Sequence, residues 1–446
     1  MIVKTITSGW YRCARGRFVS GVAGALAILM LEAMCPAVAA SEVWTAERAM
    51  AVALERNPDL MAARQQLKTA KARVVKAHYF NQFNPQVEAG ASQAHFQFAP
   101  GGDEPQPQGA VSLQVEIAGQ RGKRIEEANH NLARAEADVR DAERLTRARA
   151  DYAFHQALYL QRRLELMQRV ENLNQRLRDA SMVRFHSGES PKLEANLGSV
   201  RHDQSRRTTL LARRDYENGL RALQRAIGVE PRGTIELSGS LTYQPVELDP
   251  ERALQIAMAD RPDLRSRDYE IKRVAADIAL TRRLIIPNPV ISGFVERSAD
   301  SPGQFIRVLG GTVGVTIPLF DRKQAELTAL NGEQRRASYQ RTATQLDIEQ
   351  QVRDALAAYD AAREAVALFE SDAVKRVKES YGLIEGSYRS GKTGLLELIV
   401  AENDLVATDS SYLDALWDFQ VARMGVETAV GTDLRSIAAR GPITTP

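Results

Sequence analysis

Along residues 120–230 and again along 320–432, apolar side chains return at intervals of three and four, as in Ile348, Val352, Leu356, Tyr359, Val366 and Phe369. Ala-, Glu- and Arg-rich positions fill the gaps. This spacing predicts amphipathic, coiled-coil-like helices. No proline falls between Pro107 and Pro191, between Pro191 and Pro231, or between Pro318 and Pro442, so nothing breaks these helices. A helix from Gln324 to Glu385 would run about 90 Å at 1.5 Å per residue. That is too long for one globular core. Ser190 followed by Pro191 predicts the N-cap and first turn of a return helix. Each stretch therefore folds back as a long hairpin.

A different texture precedes each hairpin. In Val111-Ser-Leu-Gln-Val-Glu-Ile117, apolar and polar residues alternate, and Thr312-Val-Gly-Val-Thr-Ile-Pro-Leu319 repeats the pattern. Strict alternation predicts strands with one apolar and one polar face. Their partners are Gln86–Phe98, whose parity changes near Ser92, and Val290–Arg297. Loops over Ala99–Gln108 and Ser298–Gln304 join each pair. Strands are thus expected at 86–98, 109–118, 289–297 and 307–319.

The chain repeats itself. Arg56-Asn-Pro-Asp-Leu60 is echoed by Asp260-Arg-Pro-Asp-Leu264, and Asn84-Pro85 by Asn288-Pro289. Phe185-His-Ser-Gly188 is echoed by Tyr388-Arg-Ser-Gly391, Leu193-Glu194 by Leu396-Glu397, and Ile227-Gly228 by Val430-Gly431. A near-constant offset marks two copies of one unit. The copies are 41–229, with a tip at 184–191, and 251–432, with a tip at 387–394. Residues 230–250 link them, and 433–446 form a tail.

Charge and composition alter this picture at one end. Lys4, Arg12, Arg15 and Arg17, the apolar run Phe18–Met34 and Pro36-Ala-Val-Ala-Ala40 predict a secretory signal peptide over 1–40. That segment carries the whole formal net charge of +3, which leaves a neutral remainder and gives no argument for nucleic-acid binding. Both cysteines, Cys13 and Cys35, lie in it, so no disulfide is expected, and Glu32-Ala33-Met34 is a poor lipidation box. No later apolar run reaches the 18 residues of a membrane helix.

Four strands cannot enclose a pore, yet apolar-out, polar-in strands of this length suit an outer-membrane barrel. Three chains would pool twelve strands and leave no exposed edge. The expected fold class is therefore mainly α with a small β-barrel part.

Gly386-Ser-Tyr-Arg-Ser-Gly-Lys-Thr393 fits the phosphate-loop pattern G-x-x-x-x-G-K-[ST]. No buried strand leads into it, and its counterpart Gly188-Glu189-Ser190 lacks the lysine. It reads as a turn between helices. The six histidines, His78, His95, His130, His155, His186 and His202, show no metal-ligand spacing, and no catalytic constellation is visible. No cofactor and no enzymatic activity are expected.

Taken in order, RNPDL and RPDL, the two Asn-Pro strand starts, Ile117-Ala-Gly-Gln-Arg-Gly-Lys-Arg124, Ile317-Pro-Leu-Phe-Asp-Arg322 and the two tips make the chain resemble the outer-membrane efflux family typified by TolC, from about Trp44 to Thr432. The glycine-bearing segment after the first strand pair is most similar to the branch serving heavy-metal RND pumps. The resemblance implies a homotrimer whose barrel contacts outer-membrane lipid and whose helical tunnel crosses the periplasm to a periplasmic adaptor and an inner-membrane RND pump. It also implies adaptor docking at the tips, through Arg184, Phe185, Ser187, Gly188 and Leu193 and through Tyr388, Arg389, Ser390, Gly391 and Leu396. Glu194 and Glu397, just inside the return helices, are candidates for an acidic periplasmic gate, although Val400 stands where some relatives carry a second carboxylate. The expected function is a passive exit duct for toxic metal cations or small organic compounds. A type I protein-secretion duct served by an ABC exporter, and a periplasmic adaptor or coiled-coil scaffold, are the alternatives.

Overall fold

The computed structural model describes residues 42–95, 103–230, 235–301 and 304–439, so the signal-peptide segment, its cysteines and the loop 96–102 lie outside the described residues. Two short strands, β1 (Glu42–Trp44) and β4 (Ile235–Leu237), pair into a sheet of their own. Everything that follows belongs to the body that begins at Trp44.

The first copy contains α1 (Ala46–Arg56), α2 (Pro58–Ala77), β2 (Gln86–His95), β3 (Asp103–Gln114), α3 (Gln120–His186) and α4 (Lys192–Ile227). The second contains α5 (Pro250–Asp260), α6 (Pro262–Leu284), β5 (Val290–Ser301), β6 (Gln304–Gly314), α7 (Gln324–Leu368), α8 (Val374–Arg389) and α9 (Leu395–Val430), and a short α10 (Leu434–Ala439) follows. At 67 residues, α3 is about 100 Å long.

Small residues let the helices of the first hairpin approach closely. A Cβ on Gly198 would fall 2.5 Å from Ser181 Oγ and 3.1 Å from Arg178 Cα, and one on Gly219 would fall 2.7 Å from Leu160 Cδ1. Either substitution must push α4 off α3 or force a side chain aside. In the second copy the stripe expected from the sequence is the core. Ile348, Val352, Leu356, Tyr359 and Val366 are all buried, packed with Ile256, Leu264, Phe419 and Val426, while Phe369 is only partly buried against them. The Tyr359 hydroxyl accepts from Val246 N–H (2.8 Å) and donates to Val246 O (3.2 Å), which fastens the inter-repeat segment to α7.

The repeated openings act as matched clamps. Asn57 caps α2 by accepting from Asp59 and Leu60 N–H (2.9 and 3.2 Å), and its amide donates to Ala226 O near the end of α4 (3.0 Å). At the equivalent place Arg261, buried and paired with Asp263 (2.6 Å), donates to Ala429 O near the end of α9 (3.0 Å). Both bring a donor to carbonyls at a helix C-terminus, where the backbone has no partners of its own. The longer arginine also adds a positive charge that the helix dipole favours.

The second outgoing helix is not continuous. The predicted rod from Gln324 to Glu385 is interrupted by a π-turn at Phe369–Ala373, in which Asp372 has φ 118° and ψ −9°. Ser371 Oγ donates to Leu368 O (2.9 Å) there, a local bond that competes with helix continuation. No proline marks the break, so its signal is absent from the pattern that predicted the helix.

Candidate functional site

β2, β3, β5 and β6 form one antiparallel sheet in that order, so the two repeats join edge to edge through β3 and β5. The strands differ from their predicted bounds at both ends. β3 begins at Asp103 and β6 at Gln304, taking up residues expected in the loops. Pro105 and Pro107 lie in β3 where it pairs only with β2, because the β5 pairing starts at Gln108. Proline is tolerated on such an unpaired flank. At the other end both strands stop early, at Gln114 and Gly314. β2 runs in continuous register through Ser92, so the parity change in its sequence is not a bulge.

Residues in direct register share a face. The pairings Val87↔Val111, Leu113↔Ile291, Ile291↔Val313 and Val295↔Leu309 place apolar side chains on one face. Apart from half-buried Leu113, these residues are exposed, from 43% for Val295 to 83% for Leu309. The other face carries Gln86, Glu88, Gln108, Ser112, Ser292, Glu296 and Thr312, with Phe294, Ile306 and Val308 among them. The Phe294 ring lies across Gly310, where an added Cβ would fall 2.5 Å from its Cζ. An exposed apolar face backed by a polar one is the arrangement of a barrel wall between lipid and water.

At the far end of the helices, both tips close by the same backbone device. Gly188 (φ 80°) and Gly391 (φ 72°) adopt the left-handed conformation that glycine enters without steric cost. Glu189 N–H donates to Arg184 O (2.8 Å) and Gly188 N–H to Phe185 O (3.1 Å). Lys392 N–H donates to Ser387 O (2.9 Å) and Gly391 N–H to Tyr388 O (3.0 Å). This is the paired-bond C-cap of a helix ending at glycine. The phosphate-loop-like string is thus the end of α8 and the turn that leads to α9. Pro191, not Ser190, is the N-cap of α4, and it supplies no side-chain bond.

The predicted docking residues separate by exposure. Ser187, Gly188, Arg389, Ser390 and Gly391 are exposed, as are Leu193 (65%) and Leu396 (66%). Arg184 and Phe185 are half-buried. Tyr388 is buried in a cluster with Leu177, Leu395, Leu398 and Ile399, and the Arg184 guanidinium lies over its ring at 5.2 Å. Tyr388 therefore packs one tip against the other. Two aromatics that match in sequence have different surroundings.

Glu194 and Glu397 both lie in the first turn of their return helices. They are not equivalent. Glu397 is exposed, and its carboxylate folds back over Gly394 at the start of α9, where the helix dipole favours it. Glu194 is half-buried, and its Oε2 has no hydrogen-bond partner within the chain. Glu397 also borders a groove of about 500 Å³ between α8 and α9, together with Tyr381, Ile384, Leu396, Val400 and Asp404.

Sequence reasoning missed the seam between the hairpins. Glu402 on α9 is buried and accepts from Asn174 Nδ2 on α3 (2.6 Å), while Asn174 Oδ1 is left without a donor. Burial pushes the Glu402 carboxyl above the ordinary glutamate range, against the opposing pull of Asn174 and Arg201. Nearby, Tyr381 is pushed up to about 12, first by burial and then by Glu385 and Glu402. Nothing in Ala401-Glu-Asn-Asp404 marks this one carboxylate as buried among its solvated neighbours.

Among the described residues, no group of three or more His, Cys, Asp or Glu side chains is placed to hold a metal ion. No described helix is long and apolar enough to cross a membrane, which says nothing of a β-barrel.

The sequence model of the family described as outer membrane efflux protein matches residues 50–229 and again 253–432, once over each copy. The chain belongs to this family. It is an outer-membrane protein of the efflux-channel type, and the family is one of ducts rather than enzymes. The chain is similar to the cobalt-zinc-cadmium resistance protein CzcC of Cupriavidus metallidurans, at 19% identity over 87% of this chain and 90% of that protein. Among solved structures, it superposes on CusC with a TM-score of 0.72 at 17% identity, covering 87% of this chain and 92% of the other. It superposes on the CmeC outer membrane channel of Campylobacter jejuni with a TM-score of 0.73 at 15% identity, covering 86% and 85%. These likenesses are of fold, and the fold is the predicted one: duplicated helical hairpins with four barrel strands per chain.

Proposed function

We propose that this protein is the passive outer-membrane duct of a tripartite efflux system, with toxic metal cations as its cargo. The observation that carries the duct is the register of the four-stranded sheet. It gives one exposed apolar face and one polar face, and leaves β2 and β6 as open edges. Three chains joined at those edges make a twelve-stranded barrel with no free edge, polar inside. The hairpins continue this wall as a periplasmic tunnel. Its energy comes from an inner-membrane pump of the RND type, reached through a periplasmic adaptor.

The exposed tip residues Arg389, Ser390, Gly391 and Leu396, with Ser187, Gly188 and Leu193, are the docking surface for that adaptor. Arg184 and Phe185 support them from behind, and Tyr388 holds the two tips together. Glu397, exposed near the mouth, is the carboxylate that would ring a threefold constriction and favour cations. Similarity to a cobalt-zinc-cadmium resistance protein favours metal cations over organic compounds as cargo.

Deleting the gene and titrating growth against cobalt, zinc, cadmium and a panel of organic toxicants tests this reading. Loss of tolerance to one or more cations, restored by the wild-type gene, is expected. Unchanged cation tolerance with lost tolerance to an organic toxicant would overturn the cargo assignment.

A further inference from the structure

The apolar face of the barrel sheet ends in two arginines. Arg297 on β5 and Arg307 on β6 are direct register partners, on the same face as Val295, Leu309 and Val313. Both are exposed. Like charges directly opposite one another on a sheet repel. Among the described residues neither guanidinium has a carboxylate partner, and Glu296, one residue away, points to the polar face. A sheet that turned these side chains inward would place them beside that glutamate; this one sends them outward together.

Their geometry is prepared for an anion. The Arg297 guanidinium lies 3.4 Å from the ring centroid of Phe305, which sits on the same face diagonally across the ladder. Stacking fixes the plane of the guanidinium and leaves its N–H edge free, the arrangement that suits bidentate bonds to a phosphate. Arg307, its direct register partner, brings a second donor fork to the same face.

Their height matches a headgroup. The helices join the sheet at Gln86, Gln114, Val290 and Gly314, so the Arg297↔Arg307 pair lies towards the opposite rim, which is the cell-surface side. From the Val290↔Gly314 pair to the arginines is seven residue steps, about 23 Å of strand and about 18 Å of height at a tilt of about 40°. Exposed Val315 and Ile317, just below β6, lengthen the apolar band at its lower edge. An apolar band about 25 Å tall then ends at the arginines.

We propose that Arg297 and Arg307, steadied by Phe305, form a binding site for the phosphate of an anionic lipid in the outer leaflet. The lipid neutralises the cross-strand repulsion and anchors the rim of the barrel at headgroup level. Such a site goes beyond the efflux reading and rests only on the barrel itself.

The test uses the full-length protein purified in detergent, with bisphosphorylated lipid A, dephosphorylated lipid A and inorganic phosphate as probes. Binding is followed by native mass spectrometry. The wild type is expected to hold bisphosphorylated lipid A about tenfold or more tightly than the double variant R297Q/R307Q, as befits loss of two charge-assisted forks. It should hold the dephosphorylated form about as weakly as the variant does, and inorganic phosphate should not displace the lipid. Equal affinity of variant and wild type, or equal affinity for both forms of the lipid, would overturn the site. Displacement by inorganic phosphate would assign it to the free ion and overturn the lipid. Single-channel conductance of the double variant, expected at the wild-type value, separates loss of this site from loss of the barrel.

Discussion

Glu402 and Asn174 offer a direct perturbation of the seam between the hairpins, because one buried hydrogen bond of 2.6 Å joins α9 to α3 there. Burial raises the Glu402 carboxyl above its ordinary range, so the native state holds its proton more tightly than the unfolded chain. The stability this contributes is fully present below the ordinary glutamate range and is lost as pH rises through the folded pKa. Each unit of difference is worth about 1.36 kcal/mol, or tenfold in an opening equilibrium. Arg201 on α4 favours the charged form, whereas Tyr381 on α8 stays neutral in this range, so the loss is graded.

Glu402→Gln keeps the shape and removes the titration; Asn174→Ala keeps the titration and removes the donor, at a cost of about 1–3 kcal/mol. Hydrogen exchange over α3 and α9 near the pair, corrected for intrinsic rates, reads the opening equilibrium. Wild-type protection should fall as pH rises above the ordinary glutamate range, Glu402→Gln should hold its protection over the same rise, and Asn174→Ala should be less protected throughout. If wild type and Glu402→Gln lose protection in parallel, the carboxyl is not what holds the seam.

Other perturbations follow from the same geometry. Replacing Gly188 and Gly391 with tryptophan meets open space but a left-handed backbone, costing about 1–2 kcal/mol at each site. The trimer should still assemble while tolerance is lost in a complementation assay. Glu397→Ala should lower the cation preference of the open channel, measured as a reversal potential in a salt gradient. Gly310→Val would drive a side chain into the Phe294 ring and should reduce the yield of heat-modifiable trimer on gels. Asp372→Gly removes a side chain from a backbone at φ 118° and should raise thermal stability by about 1 kcal/mol.

How much of this was legible beforehand depends on what sets each feature. The buried stripe Ile348 to Val366 was readable because helical burial writes a period of three and four into the sequence. The tips were readable because a left-handed turn selects glycine, so Gly188 and Gly391 stand at matching places. The two strand faces were readable in Val111-Ser-Leu-Gln114 but not the strand ends, since pairing with a neighbour extended β3 back through Pro105 and Pro107 and the strand stops at Gln114. Tertiary packing decided the rest. Tyr388 and Phe185 occupy equivalent sequence positions, yet Tyr388 is buried against the neighbouring hairpin and Phe185 is only half-buried. The π-turn at Phe369–Ala373 and the burial of Glu402 likewise depend on what lies opposite them, which no local pattern records.

The most direct test of the duct itself is planar-bilayer conductance of the purified full-length protein, with its oligomer mass measured in the same detergent. A trimer giving discrete, ion-conducting steps is the predicted result. A detergent-independent monomer that leaves the bilayer silent would contradict the barrel and the channel built on it.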